Sequence, residues 1–124
     1  MTGDPARVLI VEDDEELRAL IGSALDDAGY LALEAGDGQS ALAACERRDP
    51  DVILLDLGMP RLGGQAFADA YRRGSGRAKI IVMTGAERGG ETSARMHAAV
   101  YLSKPFDLGQ LLAAVRRVVE PATA

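Results

Sequence analysis

The sequence predicts an α/β protein in which one parallel sheet is covered by helices on both faces. Two observations predict it. Along the 124 residues, short β-branched apolar runs alternate with amphipathic stretches of helical period, a pattern that builds parallel sheets joined by crossover helices. The clearest runs, Val8-Leu9-Ile10-Val11, Val52-Ile53-Leu54-Leu55 and Ile80-Ile81-Val82-Met83, are apolar throughout rather than at every second residue. Burial on both faces of a sheet requires that.

Taken in order, residues 1–6 form a tail before the first strand. Leu17, Leu20, Ala24, Leu25 and Ala28 then repeat at helical spacing, and Gly29 stops that helix. Leu31-Ala32-Leu33-Glu34-Ala35 is a weaker strand. Asp37 can cap the second helix, which carries Ala41, Leu42 and Cys45 and ends before Pro50. The third strand follows, then a helix marked by Phe67, Ala70 and Tyr71, then the fourth strand. Val100-Tyr101-Leu102 is a weaker fifth strand, and Leu108, Leu111, Leu112, Val115 and Val119 mark a last helix that stops before Pro121. Right-handed crossovers leave few topologies for five such units. The expected one is a flavodoxin-like (βα)5 three-layer sandwich with strand order 2-1-3-4-5. One domain spans 7–119, and 120–124 is a tail or a linker stub.

Composition narrows the function. A net charge of −5 and a pI near 4.8 argue against nucleic-acid binding by this domain, which needs a concentrated basic face. The basic pairs Arg47-Arg48, Arg72-Arg73 and Arg116-Arg117 each fall late in a predicted helix, where they complement the helix dipole. No apolar run approaches the ~20 residues of a membrane-spanning helix, and the N-terminus lacks the pattern of a secretory signal. A cytoplasmic location is the expectation. Cys45, the sole cysteine, reads as a small core hydrophobe.

In an open parallel sheet, ligands bind beyond the carboxyl ends of the strands, where the strand order reverses. The first strand ends in Glu12-Asp13-Asp14, the third in Asp56 and the fourth in Thr84, and the fifth leads into Ser103-Lys104-Pro105. The second strand, at the edge, ends in Ala35-Gly36 and adds nothing. Singly, these residues have plain structural explanations: acidic residues favour the first turn of a helix, and an Asp after a strand is a common cap or turn residue. Lys104 could be a surface charge, although the chain uses Arg twelve times and its only other lysine is Lys79. Together they converge on one end of the sheet. Carboxylates about 4 Å apart repel by roughly 4 kcal/mol at an effective dielectric near 20, so a proton or a cation must sit among them. An all-oxygen site with water ligands suits Mg²⁺, with Mn²⁺ a substitute. Zinc is disfavoured, because neither Cys45 nor His97 falls at this end.

These blocks, Val8-Leu-Ile-Val-Glu-Asp-Asp14, Asp56-Leu-Gly-Met-Pro60, Met83-Thr-Gly85 and Tyr101-Leu-Ser-Lys-Pro-Phe106, resemble the signature blocks of bacterial two-component response-regulator receiver domains, the chemotaxis regulators among them. The resemblance runs from about residue 7 to about 119. It implies that Asp56 accepts a phosphoryl group. Asp13 would bind Mg²⁺ directly, Glu12 through water, and Asp56 and the backbone carbonyl of Gly58 would complete the protein's ligands. Thr84 would bond a phosphoryl oxygen and Lys104 would pair with the phosphoryl group, with a cis Lys104-Pro105 peptide. Tyr101 would be the aromatic switch beside Thr84. The donor implied is a phosphohistidine on a sensor histidine kinase or a histidine phosphotransfer protein. The output implied is a changed face of fourth helix, fifth strand and last helix, read by a downstream effector or an attached output domain, with a homodimer left open. Such a domain is a phospho-acceptor that catalyses its own phosphorylation and slow dephosphorylation, not an enzyme acting on a separate substrate.

The chain departs from the family between Thr84 and the fifth strand, where the segment is about two residues short and carries Gly89-Gly90. Glycines cost about 1 kcal/mol each inside a helix, so a short fourth helix beginning no earlier than Gly90 is expected. Gly58 and Ala86, two residues beyond Asp56 and Thr84, offer no side chain to orient or repel an attacking water. Three rival readings are weaker. A phosphatase of the haloacid dehalogenase type needs a second Asp where Gly58 stands. A flavin mononucleotide binder needs a phosphate loop where Glu12-Asp13-Asp14 would repel phosphate. A degenerate receiver acting only in dimerisation is opposed by the intact Asp13, Asp56, Thr84 and Lys104.

Overall fold

The computed structural model describes residues 5–58, 63–74, 76–85 and 98–119. The elements run β1 (Arg7–Val11), α1 (Glu15–Asp27), β2 (Leu31–Ala35), α2 (Gly38–Arg47), β3 (Val52–Asp56), α3 (Gly64–Arg73), β4 (Lys79–Gly85), β5 (Val100–Lys104) and a C-terminal helix (Leu108–Val119). The five strands form one sheet in the order β2-β1-β3-β4-β5, and every pairing is parallel. The expected fourth helix, His97 and Ala86 lie outside the described residues. Among those described, no helix is long and apolar enough to cross a membrane.

Alternation along the strands splits the core into two layers. Leu9, Val11, Ile53, Leu55, Ile80 and Val82 face α2 and α3, where they meet Ala41, Phe67, Ala68 and Tyr71. Val8, Ile10, Val52, Leu54, Ile81 and Met83 face the other way, against Ile21 and Leu25 of α1 and Leu111 and Val115 of the C-terminal helix. Successive side chains of a strand point to opposite faces, so a continuous apolar run fills both layers at once. Phe67, Ile21, Leu25 and Leu111 are fully buried, and each such side chain contributes about 1.5–3 kcal/mol by leaving water.

Local chemistry sets the helix ends. Asp14 caps α1, its carboxylate accepting from the Leu17 amide at 3.1 Å, and Glu15 and Glu16 follow in the first turn, where the helix dipole favours negative charge. Gly29 ends the helix at φ +96°, a left-handed conformation that glycine adopts without a Cβ clash. The Tyr30 amide then reaches back to the Leu25 carbonyl at 3.0 Å. Asp37 caps α2 through the Ser40 amide at 2.7 Å. At the start of α3 the determinant is space: a Cβ on Gly64 would lie 2.7 Å from the Asp56 carbonyl oxygen and 2.9 Å from Leu57 Cα. Only glycine lets α3 begin this close to the end of β3.

β4 and β5 run two residues past the carboxyl ends of their apolar runs. β4 continues through Thr84 and Gly85, and β5 through Ser103 and Lys104, because the backbones keep pairing there: Thr84 opposite Ser103 and Gly85 opposite Lys104. Thr84 and Lys104 therefore belong to the last two rungs of the ladder, with β4 ending one residue past Thr84. Ladder bonds depend on backbone, not on side-chain hydropathy.

Candidate phosphorylation and cation site

At the carboxyl end of the sheet the chain leaves β1 through Glu12, whose amide still bonds the Ala35 carbonyl of β2 at 3.1 Å. Glu12 is only 1% exposed although it is a carboxylate. Asp56, the last residue of β3, is 5% exposed. Asp13 and Asp14 follow Glu12 onto the surface. One carboxylate oxygen each from Glu12, Asp13 and Asp56 lies within 4.8 Å of the others.

Lys104 reaches this cluster from the far strand. Its Nζ donates to Glu12 Oε1 at 2.9 Å and lies 3.6 Å from Asp56 Oδ2. The other carboxylate oxygens of Glu12 and Asp56 have backbone partners. The Asp14 amide donates to Glu12 Oε2 at 3.1 Å, and the Gly58 amide donates to Asp56 Oδ1 at 2.9 Å. The Lys104-Pro105 peptide is cis.

The electrostatics are those of a crowded site. Burial pushes the Glu12 carboxyl above its ordinary value; the hydrogen bonds from Lys104 and the Asp14 amide oppose this and the charge of Asp56 adds to it. For Lys104, burial pulls the ammonium down, but the bond to Glu12 and the charges of Asp56 and Glu12 together outweigh that and hold it above its ordinary value. At no more than 4.8 Å, two buried carboxylates repel by about 3–4 kcal/mol or more at an effective dielectric near 20. One ammonium cannot neutralise three carboxylates. The donor set is all oxygen and one of its members is open to solvent, which fits a hard divalent cation that keeps part of its water shell. Glu12, Asp13 and Asp56 are thus chemically suited to Mg²⁺.

Of the residues expected here, Glu12, Asp13, Asp56, Gly58 and Lys104 come together. Thr84 lies one residue beyond Met83, which pairs with Asp56 across β3 and β4; its side chain lies outside what is described. Tyr101 is half-buried on β5, packed against the α2/α3 layer, and pairs in register with Val82. Reading along the chain missed Arg18. Its Nη1 donates to the Glu12 carbonyl at 2.8 Å and its Nε to Glu34 Oε1 at 3.1 Å. The second strand, which offers the site no ligand, therefore reaches it through the Arg18 side chain as well as through the Ala35 carbonyl. The only sequence signal was an arginine early in its helix, whereas the basic pairs fall late in the other helices.

Residues 8–116 match the response regulator receiver domain family. Over 121 residues the chain is 35% identical to the response regulator MprA of Mycolicibacterium vanbaalenii, covering 96% of this chain and 52% of that protein. Over 111 residues it is 37% identical to the KDP operon transcriptional regulatory protein KdpE of Escherichia coli, covering 88% and 49%. The chain thus spans about half the length of these curated relatives. Among solved structures it is similar to the Vibrio cholerae chemotaxis protein CheY4, at 33% identity and TM-score 0.85 over 92% of this chain and 98% of that one. It is also similar to the Thermotoga maritima response regulator TrrA in complex with Mg²⁺-BeF, at 29% identity and TM-score 0.81 over 91% and 98%.

Proposed function

The chain belongs to the response regulator receiver domain family, and from that premise we propose that it takes a phosphoryl group onto Asp56 from a phosphohistidine and switches an output face in response. The observation that carries the proposal is the cluster of Glu12, Asp13 and Asp56 carboxylates within 4.8 Å, with Lys104 between Glu12 and Asp56. The Thermotoga relative captured with Mg²⁺-BeF supports the same assignment.

In this reading an Asp56 carboxylate oxygen forms a bond to phosphorus while the donor's P–N bond breaks, and the electron pair leaves with the imidazole nitrogen. Transfer of this kind needs positioning and charge neutralisation above all. The Gly58 amide, already on Asp56 Oδ1, fixes the carboxylate's orientation. Lys104 moves its ammonium toward the incoming phosphoryl oxygens, and the Thr84 hydroxyl donates to one of them. Glu12, Asp13, Asp56 and the Gly58 carbonyl would hold Mg²⁺, or Mn²⁺ in its place; the cation supplies positive charge for the oxygens of the transferring group.

Phosphorylation changes a charge near −1 to one near −2 with added acceptor oxygens. Thr84 is drawn toward it, and Tyr101 turns into the space that opens. β5 and the C-terminal helix, with the segment between β4 and β5, then present a different surface. The coupling is about 1–3 kcal/mol, set by the contacts that differ between two pre-existing states. The receiver unit is 7–119. The donor is a histidine kinase or phosphotransfer protein in the cytoplasm. The reader is an effector or an output domain of the kind implied by the transcriptional regulators among the relatives, since the acidic receiver itself is unsuited to nucleic acid.

Incubation with acetyl phosphate and Mg²⁺, followed by intact-mass measurement, tests the proposal. A single phosphoryl adduct is expected on the parent and none on Asp56→Asn. No adduct on the parent, under conditions that label another receiver, would leave a purely dimerising role in front.

A further inference from the structure

We propose that Arg18 is a positioning residue for the turn that holds the divalent cation, acting through the Glu12–Asp13 peptide; this rests on the reading of the acidic cluster as a cation site. Arg18 Nη1 bonds the Glu12 carbonyl at 2.8 Å, and that carbonyl belongs to the planar unit that leads into Asp13. On the other side of the same residue, the Glu12 amide bonds the Ala35 carbonyl at 3.1 Å. Both peptide planes flanking Glu12 are therefore held. Rotation of either would swing the Glu12 and Asp13 carboxylates out of the cluster they share with Asp56.

The guanidinium is itself held. Its side chain is 17% exposed, and its Nε bonds Glu34 Oε1 at 3.1 Å. Two glycines make room for the arrangement. A Cβ on Gly36 would stand 3.1 Å from Arg18 Nη1, and one on Gly22 would stand 3.2 Å from Glu34 Oε2. Either would crowd the ion pair. The planar fork of arginine can serve a carbonyl and a carboxylate in different directions at once, which a lysine ammonium on one flexible stem does less well. In this way α1 and the edge strand β2 are tied to the cation turn by one side chain.

The sign of the effect separates this role from simple charge. Removing a cation near a cation site should strengthen metal binding on Coulomb grounds alone. Removing a residue that orients the ligands should weaken it, by about tenfold where outer partners of metal ligands have been lost. The experiment is a Mg²⁺ titration at constant ionic strength, followed by amide NMR, on the parent, Arg18→Ala and Glu34→Gln, well below each protein's unfolding temperature. The expected result is Mg²⁺ dissociation constants raised about tenfold in Arg18→Ala and by a smaller factor in Glu34→Gln, with Glu12 and Asp13 amide shifts displaced before metal is added. Equal or tighter binding by Arg18→Ala overturns the proposal. Should that variant not fold, Arg18→Lys, which keeps the charge and loses the planar fork, decides in its place: an unchanged constant and unshifted Glu12 and Asp13 amides refute the role. A parent that binds no Mg²⁺ would bring down the cation-site reading itself, an outcome distinct from a parent that binds and variants that match it.

Discussion

At the end of the sheet remote from the acidic cluster, Asp49 is answered on all sides. The Tyr71 hydroxyl donates to its Oδ1 at 2.6 Å, the Arg77 amide donates to its Oδ2 at 3.1 Å, and the Ala78 amide donates back to the Tyr71 hydroxyl at 2.7 Å. The Phe67 ring stacks on Tyr71 with centroids 5.8 Å apart, and a Cβ on Gly76 would overlap the tyrosine ring. At the other end, Glu12 and Asp56 are more deeply buried than Asp49, stand beside Asp13, and share one ammonium. Both ends hold carboxylates fixed by backbone amides. What differs is burial and crowding: one end is a closed hydrogen-bond network around an exposed carboxylate, the other is crowded with buried like charge. An exposed carboxylate whose hydrogen bonds are met serves the fold, while a buried set left with excess like charge is poised for a ligand.

Four substitutions or reactions can break or sharpen that contrast. The largest effect is expected at the crowded end, where Asp56→Asn abolishes phosphoryl uptake while relieving repulsion. Its thermal midpoint without metal should be no lower than the parent's; a clear drop would mean the carboxylate contributes to the fold. Next comes Cys45, beside the closed end. Burial, with the charges of Asp49 and Glu46, pushes its thiol from 9.0 up to about 11. That shift of about two units leaves roughly a hundredfold less thiolate near neutral pH. Iodoacetamide at pH 7.5 should therefore label the folded protein at least that much more slowly than the urea-unfolded chain, with the folded rate rising toward pH 11. The raised thiol favours the folded state below pH 9, and that contribution is lost between about 9 and 11; comparable labelling of both forms at pH 7.5 would contradict the burial argument.

A smaller effect is expected from Tyr71→Phe, which strips a donor from Asp49 and an acceptor from the Ala78 amide. It should cost about 1–3 kcal/mol in urea unfolding, with phosphorylation of the folded protein unchanged. Loss of labelling there would show that the two ends are coupled. The smallest change is a kinetic one. Among the described residues a Cβ at Gly58 would meet only Asp56 Oδ1, at an ordinary 3.5 Å, so Gly58→Asn is expected to be accommodated and to place an amide beside the acyl phosphate. The phosphorylated lifetime should change severalfold, as read by the decay of the mass adduct, and an unchanged lifetime would leave water access to be governed elsewhere.

Much of this contrast was legible along the chain, for reasons that can be named. The three unbroken apolar runs could only be central strands, and they are β1, β3 and β4. Glu12, Asp13, Asp56 and Lys104 stood at strand ends, which topology gathers whatever the loops between them do. Contacts between residues far apart in sequence were not legible. Tyr71 read as one more apolar position of α3, since nothing local shows that its hydroxyl meets Asp49, twenty-two residues earlier. Glu34 read as the polar residue of a weak edge strand, and its link to Arg18 arises only when α1 packs across β2. The end of β5 escaped for a related reason: Ser103 and Lys104 are polar, and pairing there is a property of the neighbouring backbone.

The place of β3 in the sheet has a mechanical consequence. Its five residues are all buried, and the strand is gripped by β1 on one side and β4 on the other, with Gly64 of α3 pressed against its final peptide. A strand clamped in this way has no direction in which to recoil. In the proposed switch, a charge added at its tip would be absorbed by the rim around it, so the anvil would stay still and the message would leave through parts with fewer neighbours, such as β5 at the sheet's border.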